Sequence, residues 1–107
     1  MSELILSTME TIPGREIVSW KGLVQGNTVQ SKHVGRDIMA GLKNIVGGEL
    51  RGYTELLDDA RNKSVDRMVE QARSLGANAV VNIRFSTSSV TAGASELYAY
   101  GTAVVVD

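Results

Sequence analysis

Cysteine is absent from this chain. Disulfides, thiolate metal ligands and a cysteine nucleophile are therefore excluded together. A reducing compartment fits that composition, and a cytoplasmic protein is the expectation. Histidine occurs once, as His33, and proline once, as Pro13. Aromatic residues are few: Trp20, Phe85, Tyr53, Tyr98 and Tyr100 are the whole set. The core must then rest on Leu, Ile, Val and Ala. Neither sign of charge is in excess, the formal net charge being −1, and no basic run occurs. Phosphate neutralisation needs clustered Lys and Arg, so no nucleic-acid partner is expected. No stretch approaches the ~20 apolar residues of a membrane span. The start, Met1 to Ser7, lacks the basic flank and long apolar run of a signal peptide. No membrane association is expected.

What is present fits one domain over residues 1–107. Leu4-Ile5-Leu6 reads as a short strand, and Ile12-Pro13-Gly14 supplies turn chemistry. A second strand is expected from Glu16 to about Val24, closed by Gly26-Asn27. Its two faces would be Val18, Trp20, Gly22 and Val24 against Ile17, Ser19, Lys21 and Leu23. Val34, Ile38, Leu42 and Ile45 recur at helical spacing and predict a helix over His33–Val46, stopped by Gly47-Gly48.

The clearest pattern predicts a long helix from Thr54 to Leu75, capped by Gly76. Glu55, Asp58 and Asp59 would sit near its positive end and Arg73 near its negative end. Its apolar residues, Val65 and Val69 among them, cover about twice the ~100° stripe of a helix that faces one core. A second surface is therefore expected against it, either the first helix or another subunit. From Asn78 to Ser86 the residues alternate, with Ala79, Val81, Ile83 and Phe85 on one side. A polar loop is expected over Ser88–Ser95, followed by a strand from Glu96 to Val106. That last strand has no charge on either face after its first residue, so burial on both sides is expected. The order is β-β-α-α-β-β: an α+β domain with an antiparallel or mixed sheet and helices on one face.

Several of these segments also carry a family resemblance. Lys43-Asn44-Ile45-Val46-Gly47-Gly48-Glu49-Leu50, then Tyr53-Thr54-Glu55-Leu56-Leu57 with Ala60-Arg61, resembles the YbjQ-like bacterial proteins. So do Ile12-Pro13-Gly14, Leu75-Gly76-Ala77-Asn78-Ala79-Val80-Val81 and Tyr100-Gly101-Thr102-Ala103-Val104. The resemblance covers nearly the whole chain. It implies a compact α+β subunit, dodecin-like in architecture, that assembles as a ring, typically a homopentamer. The family carries the label "putative heavy-metal-binding", and the resemblance brings no catalytic residues with it.

Candidate chemistry is sparse. Heavy metals want thiolate or imidazole, and His33 is the one such group, usable if a ring repeats it around an axis. Carboxylates are available in Glu49, Glu55, Asp58, Asp59 and Asp66. At a helix start beside Lys32 and Arg36, His33 reads more simply as a solvated side chain. Gly47-Gly48-Glu49-Leu50-Arg51-Gly52 lacks the Gly-Lys-Ser/Thr core of a phosphate loop and reads as a turn. The hydroxyls of Ser86–Thr91 have no evident base. Arg61 falls within the apolar arc of the long helix. It either reaches water past its own stem or pairs with Glu55, Asp58 or a carboxylate of a neighbouring subunit. Trp20 is either core or a surface on which a planar ligand stacks.

The expected function is a non-catalytic, ring-forming homo-oligomer, with Arg61, Val65 and Val69 in or near the subunit contact. Trp20, His33 and Arg61 are the candidate ligand residues. The ligand or cofactor is left open. Two other readings stand beside it: dodecin-like storage of a small ligand between subunits, and an enzyme with a site built from two chains.

Overall fold

The computed structural model describes residues 3–30, 51–91 and 94–107. Four strands form one sheet: β1 (Ile5–Leu6), β2 (Ile17–Gln30), β3 (Ala79–Thr91) and β4 (Ala94–Val106). Among the described residues a helix, α1 (Arg51–Ser74), lies between β2 and β3. The sheet order is β1-β3-β4-β2, with β1 parallel to β3 and the other pairs antiparallel. The fold is thus α+β with a mixed sheet, as the sequence predicts. The expected helix over His33–Val46 lies outside the described residues.

The strands run longer than expected. β2 does not close at Gly26-Asn27 but pairs with β4 as far as Gln30↔Ser95. The expected loop over Ser88–Ser95 is paired strand at both its described ends, as far as Thr91↔Ala94. Gly26 escapes its usual role as a turn residue because α1 lies directly against it. A Cβ there would run into the Ser64 carbonyl and the Met68 amide. Only glycine lets a helix backbone come so near a strand.

That contact is fixed by hydrogen bonds. Ser64 is fully buried, and its Oγ lies 2.6 Å from Thr28 Oγ1, 2.9 Å from the Ala60 carbonyl and 3.1 Å from the Leu97 carbonyl. The helix buries a row spaced by four residues, Ala60, Ser64, Met68 and Ala72, against β2 and β4. Val65 and Val69 are half-buried beside it, and Val65 packs on the core. Among the described residues the buried row is narrower than the apolar arc read from the sequence. The helix begins at Arg51, so no acid occupies its first turn, contrary to expectation.

Its end matches expectation. Gly76 has φ +83°, the Ala77 N–H donates to the Ala72 carbonyl at 3.1 Å, and the Gly76 N–H donates to the Arg73 carbonyl at 3.0 Å. These two bonds make a Schellman cap.

Two cores flank β4. On the helix side lie Val24, Met68, Ala72, Val80, Ile83, Ala99 and Ala103. On the other side lie Ile12, Ala79, Val81, Val104 and Val106. The β4 segment from Gly101 to Val106 is therefore covered on both faces within one chain, by α1 and by the segment that carries Ile12. The expected alternation along β3 fails at Asn82, which sits at φ +55°. There the register slips between Val81↔Thr102 and Arg84↔Tyr100. That bulge turns Ile83 to the helix side with Val80 and leaves Ala79 and Val81 on the other. The Asn82 N–H donates to the Met9 carbonyl at 2.9 Å, and the Ile83 N–H to the Ser7 carbonyl at 3.1 Å. The strand edge beyond β1 is sealed in this way.

Candidate functional site

The candidate residues are dispersed. Trp20 lies near the start of β2, opposite Val104, and is 73% exposed. It is not core. Two register slips bracket it, with Val18 and Lys21 as the extra residues. Bulges twist and re-aim the side chains beside them, which breaks the alternation expected over Val18–Val24. The indole lies against Gly22, 3.7 Å from where a Cβ would stand. A β-branched or larger residue at position 22 would crowd the ring.

Arg61 stands at the opposite end of the helix–strand contact. Its neighbour Ala60 accepts a bond from the Thr28 hydroxyl at 2.9 Å. Thr28 is eight residues along β2 from Trp20, a span of about 26 Å at ~3.3 Å per residue. The two side chains are not brought into one site. Arg61 ion-pairs with Asp58, one turn earlier, and both side chains are about half exposed. Of the alternatives open for Arg61, the pair with Asp58 is the one observed. An exposed pair at i, i+3 contributes only a few tenths of a kcal/mol. His33 and Glu49 lie outside the described residues, as does the side chain of Glu55.

The fit to a heavy metal can be tested on what remains. Among the described residues no three His, Cys, Asp or Glu side chains gather where they could hold an ion. Asp58, Asp59 and Asp66 are all exposed on α1. The chain has no cysteine at all. The described residues do not fit a soft-metal centre.

Ser64, buried and rich in partners, invites a catalytic reading that its surroundings do not support. Its neighbours are two backbone carbonyls and a threonine hydroxyl, none of which can take a proton at neutral pH. The network holds the helix to the sheet. Spacing alone carried a signal for it, since Ala60, Ser64 and Met68 form one row of small and flexible residues. Nothing in the sequence said that Gly26 faces that row.

Asn78 is a second functional-looking residue with a structural task. Its side-chain Nδ2 donates to the Val106 carbonyl at 2.8 Å, and its Oδ1 accepts from the Val106 N–H at 2.7 Å. The amide thus pairs with Val106 as another peptide group would. Beyond the caps and cores, β2 is an edge strand, and α1 reaches over part of that edge. Gln71 Oε1 accepts from the Gln25 N–H at 2.7 Å, and the Arg67 guanidinium donates to the Asn27 carbonyl. Both bonds occupy backbone groups that point away from β4.

Comparison with known proteins places this arrangement. A "UPF0145 protein" of Hahella chejuensis is 67% identical over 104 residues, covering 97% of this chain and 100% of the relative. The corresponding protein of Vibrio campbellii is 66% identical, over 94% of this chain and 97% of its own. That of the archaeon Archaeoglobus fulgidus is 61% identical, over 95% and 94%. A crystal structure from Pediococcus pentosaceus, a protein of unknown function described as a member of the DUF74 family, shares the fold with a TM-score of 0.63. It is 14% identical and covers 97% of this chain and 98% of that one. With its family model matched over residues 4–107, the chain belongs to the YbjQ_1 family, whose description reads "Putative heavy-metal-binding".

Proposed function

We propose that this chain is a non-catalytic subunit of a ring-forming homo-oligomer, a homopentamer, that works in the cytoplasm as a binding or scaffold protein. It acts on no nucleic acid and no membrane. The observation that carries this reading is the exposure of large apolar side chains on an edge strand. Trp20 is 73%, Leu23 69% and Val18 58% exposed, and the two core clusters among the described residues do not include them. Water is a poor environment for such a patch, and subunit association is the usual way to remove it. The family is described as "Putative heavy-metal-binding", and we attach that activity to the proposed ring. In this chain that reading rests on His33 alone among thiolate and imidazole donors, repeated around the axis.

Sedimentation equilibrium at micromolar concentration tests the assembly. A species several times the 11.5 kDa chain mass is expected, and a stable single chain overturns the reading. A second reading, storage of a small planar ligand between subunits, is favoured by the exposed indole resting on Gly22. Native mass spectrometry of untagged protein tests it directly, since a retained ligand adds discrete mass to each ring.

A further inference from the structure

β1 and β2 stand at opposite ends of the sheet order β1-β3-β4-β2, so the chain between them has to cross β3 and β4. It does so on the face that α1 does not cover, where Ile12 packs on Ala79, Val81, Val104 and Val106. A crossover of this kind is usually a helix, which lays a whole apolar stripe on the sheet. Here the crossing segment has no helix or strand, and from Thr8 to Glu16 every residue except Ile12 is exposed. One side chain is its entire apolar hold.

The polar hold is confined to the two ends. At the β3 end the Met9 carbonyl accepts from the Asn82 N–H at 2.9 Å, and the Thr8 carbonyl accepts from Arg84 at 2.8 Å. At the other end the Asp107 carboxylate accepts from the Glu16 N–H at 2.9 Å, and the Asp107 N–H donates to the Glu16 carbonyl at 3.1 Å. Between these ends Ile12 begins a turn with Pro13 and Gly14, closed by the Arg15 N–H on the Ile12 carbonyl at 3.1 Å. Gly14 has φ +79°, the conformation that a type II turn asks of its third residue. The turn makes the plug stiff, so Ile12 enters or leaves with the segment that carries it.

Segments held by few buried contacts and by solvent-exposed hydrogen bonds are those that open while the rest of a fold persists. We infer that residues 8–16 form a strap that opens as one unit, with Ile12 as its plug and Asp107 as its latch. Opening bares Ala79, Val81, Val104 and Val106, an uncharged apolar floor that the closed strap keeps from water. The strap therefore controls access to that floor. The motion takes place within one chain and goes beyond the ring reading.

Because the chain has no cysteine, a single introduced thiol reports on access to its own position. Val104→Cys puts one on the floor beneath the strap, and Val24→Cys puts one in the core beneath α1. Under native conditions a water-soluble disulfide reagent should label the first about tenfold faster than the second. Adding Asp107→Ala, which removes the latch, should speed labelling of the first by a further factor of about ten and leave the second unchanged. Equal labelling at the two positions, or equal acceleration of both, would mean that the floor opens only when the whole chain unfolds, and overturns the inference. Amide hydrogen exchange on the unaltered protein supplies a check that depends on no variant folding. The Asn82 and Glu16 amides, at the two ends of the strap, should share one opening constant, larger than that of the β4 amides, whose strand is paired on both sides. Ends that open independently, or that keep the protection of β4, overturn the inference as well.

Discussion

At Gly26 the backbone of β2 meets the backbone of α1 with no side chain between them, the Ser64 carbonyl and Met68 amide standing where a Cβ would be. Helix and strand must separate to admit even one methyl group, and the Ser64–Thr28 bond at 2.6 Å would open as they do. Gly26→Ala should therefore cost about 3 kcal/mol of stability, readable as a lowered midpoint in urea denaturation. An unchanged midpoint would mean that α1 can slide without loss. His33 offers a separate test at the same scale. A metal held only by the folded chain at 100 times its Kd would stabilise it by ~2.7 kcal/mol, several degrees in Tm for a domain of this size. Adding Zn²⁺ to metal-free protein should shift Tm by less than that. A larger shift that His33→Ala abolishes would establish a metal site.

Among the elements, α1 was the most legible and the β2 edge the least. The helix end was readable because a glycine after a long amphipathic run has one favoured place, and Gly76 occupies it at φ +83°. Gly76→Val should cost about 1–2 kcal/mol from the left-handed backbone alone, measurable by thermal or chemical denaturation. An unaffected stability would mean that the cap does not depend on that conformation. The flank of α1 gives a contrasting test. Val65 packs on the core, so its loss would weaken the chain itself and confound any reading of assembly. Val69 is the cleaner probe. If neighbouring copies meet through the sheet edges, Val69→Asp leaves the ring assembled while Trp20→Glu dissociates it. Dissociation of the Val69→Asp variant in ultracentrifugation would instead put the helix flank in the contact.

For the molecule as a whole, shape speaks for assembly. The radius of gyration is 16.9 Å, against roughly 12–13 Å for a compact domain of this many residues. The long axis extends 53 Å against 29 and 24 Å across. The long strands contribute about 43–46 Å at ~3.3 Å per residue, β2 running 14 residues and β3 and β4 13 each. An elongated sheet exposes more apolar surface than a sphere of the same mass. The proposed association with copies of itself would recover what the described core does not cover. The two-sided apolar character of β4 is a weaker argument for association. Ile12 on one side and α1 on the other already cover its second half.

By itself the sequence determined the class of fold, the family, the long helix with its glycine stop and the apolar character of β4. The family came from the resemblance of whole segments; the others follow from a local period or a local backbone requirement, and neighbours in the chain are enough to reveal those. Only the tertiary structure decided that Gly26 is a landing place for α1, that Asn82 breaks the alternation of β3 and that Trp20 faces water. A bulge is defined by the register of a partner strand. Exposure depends on which strand ends at the edge of the sheet. Both are relations between segments far apart in sequence, and the pattern along one strand carries no trace of what lies beside it.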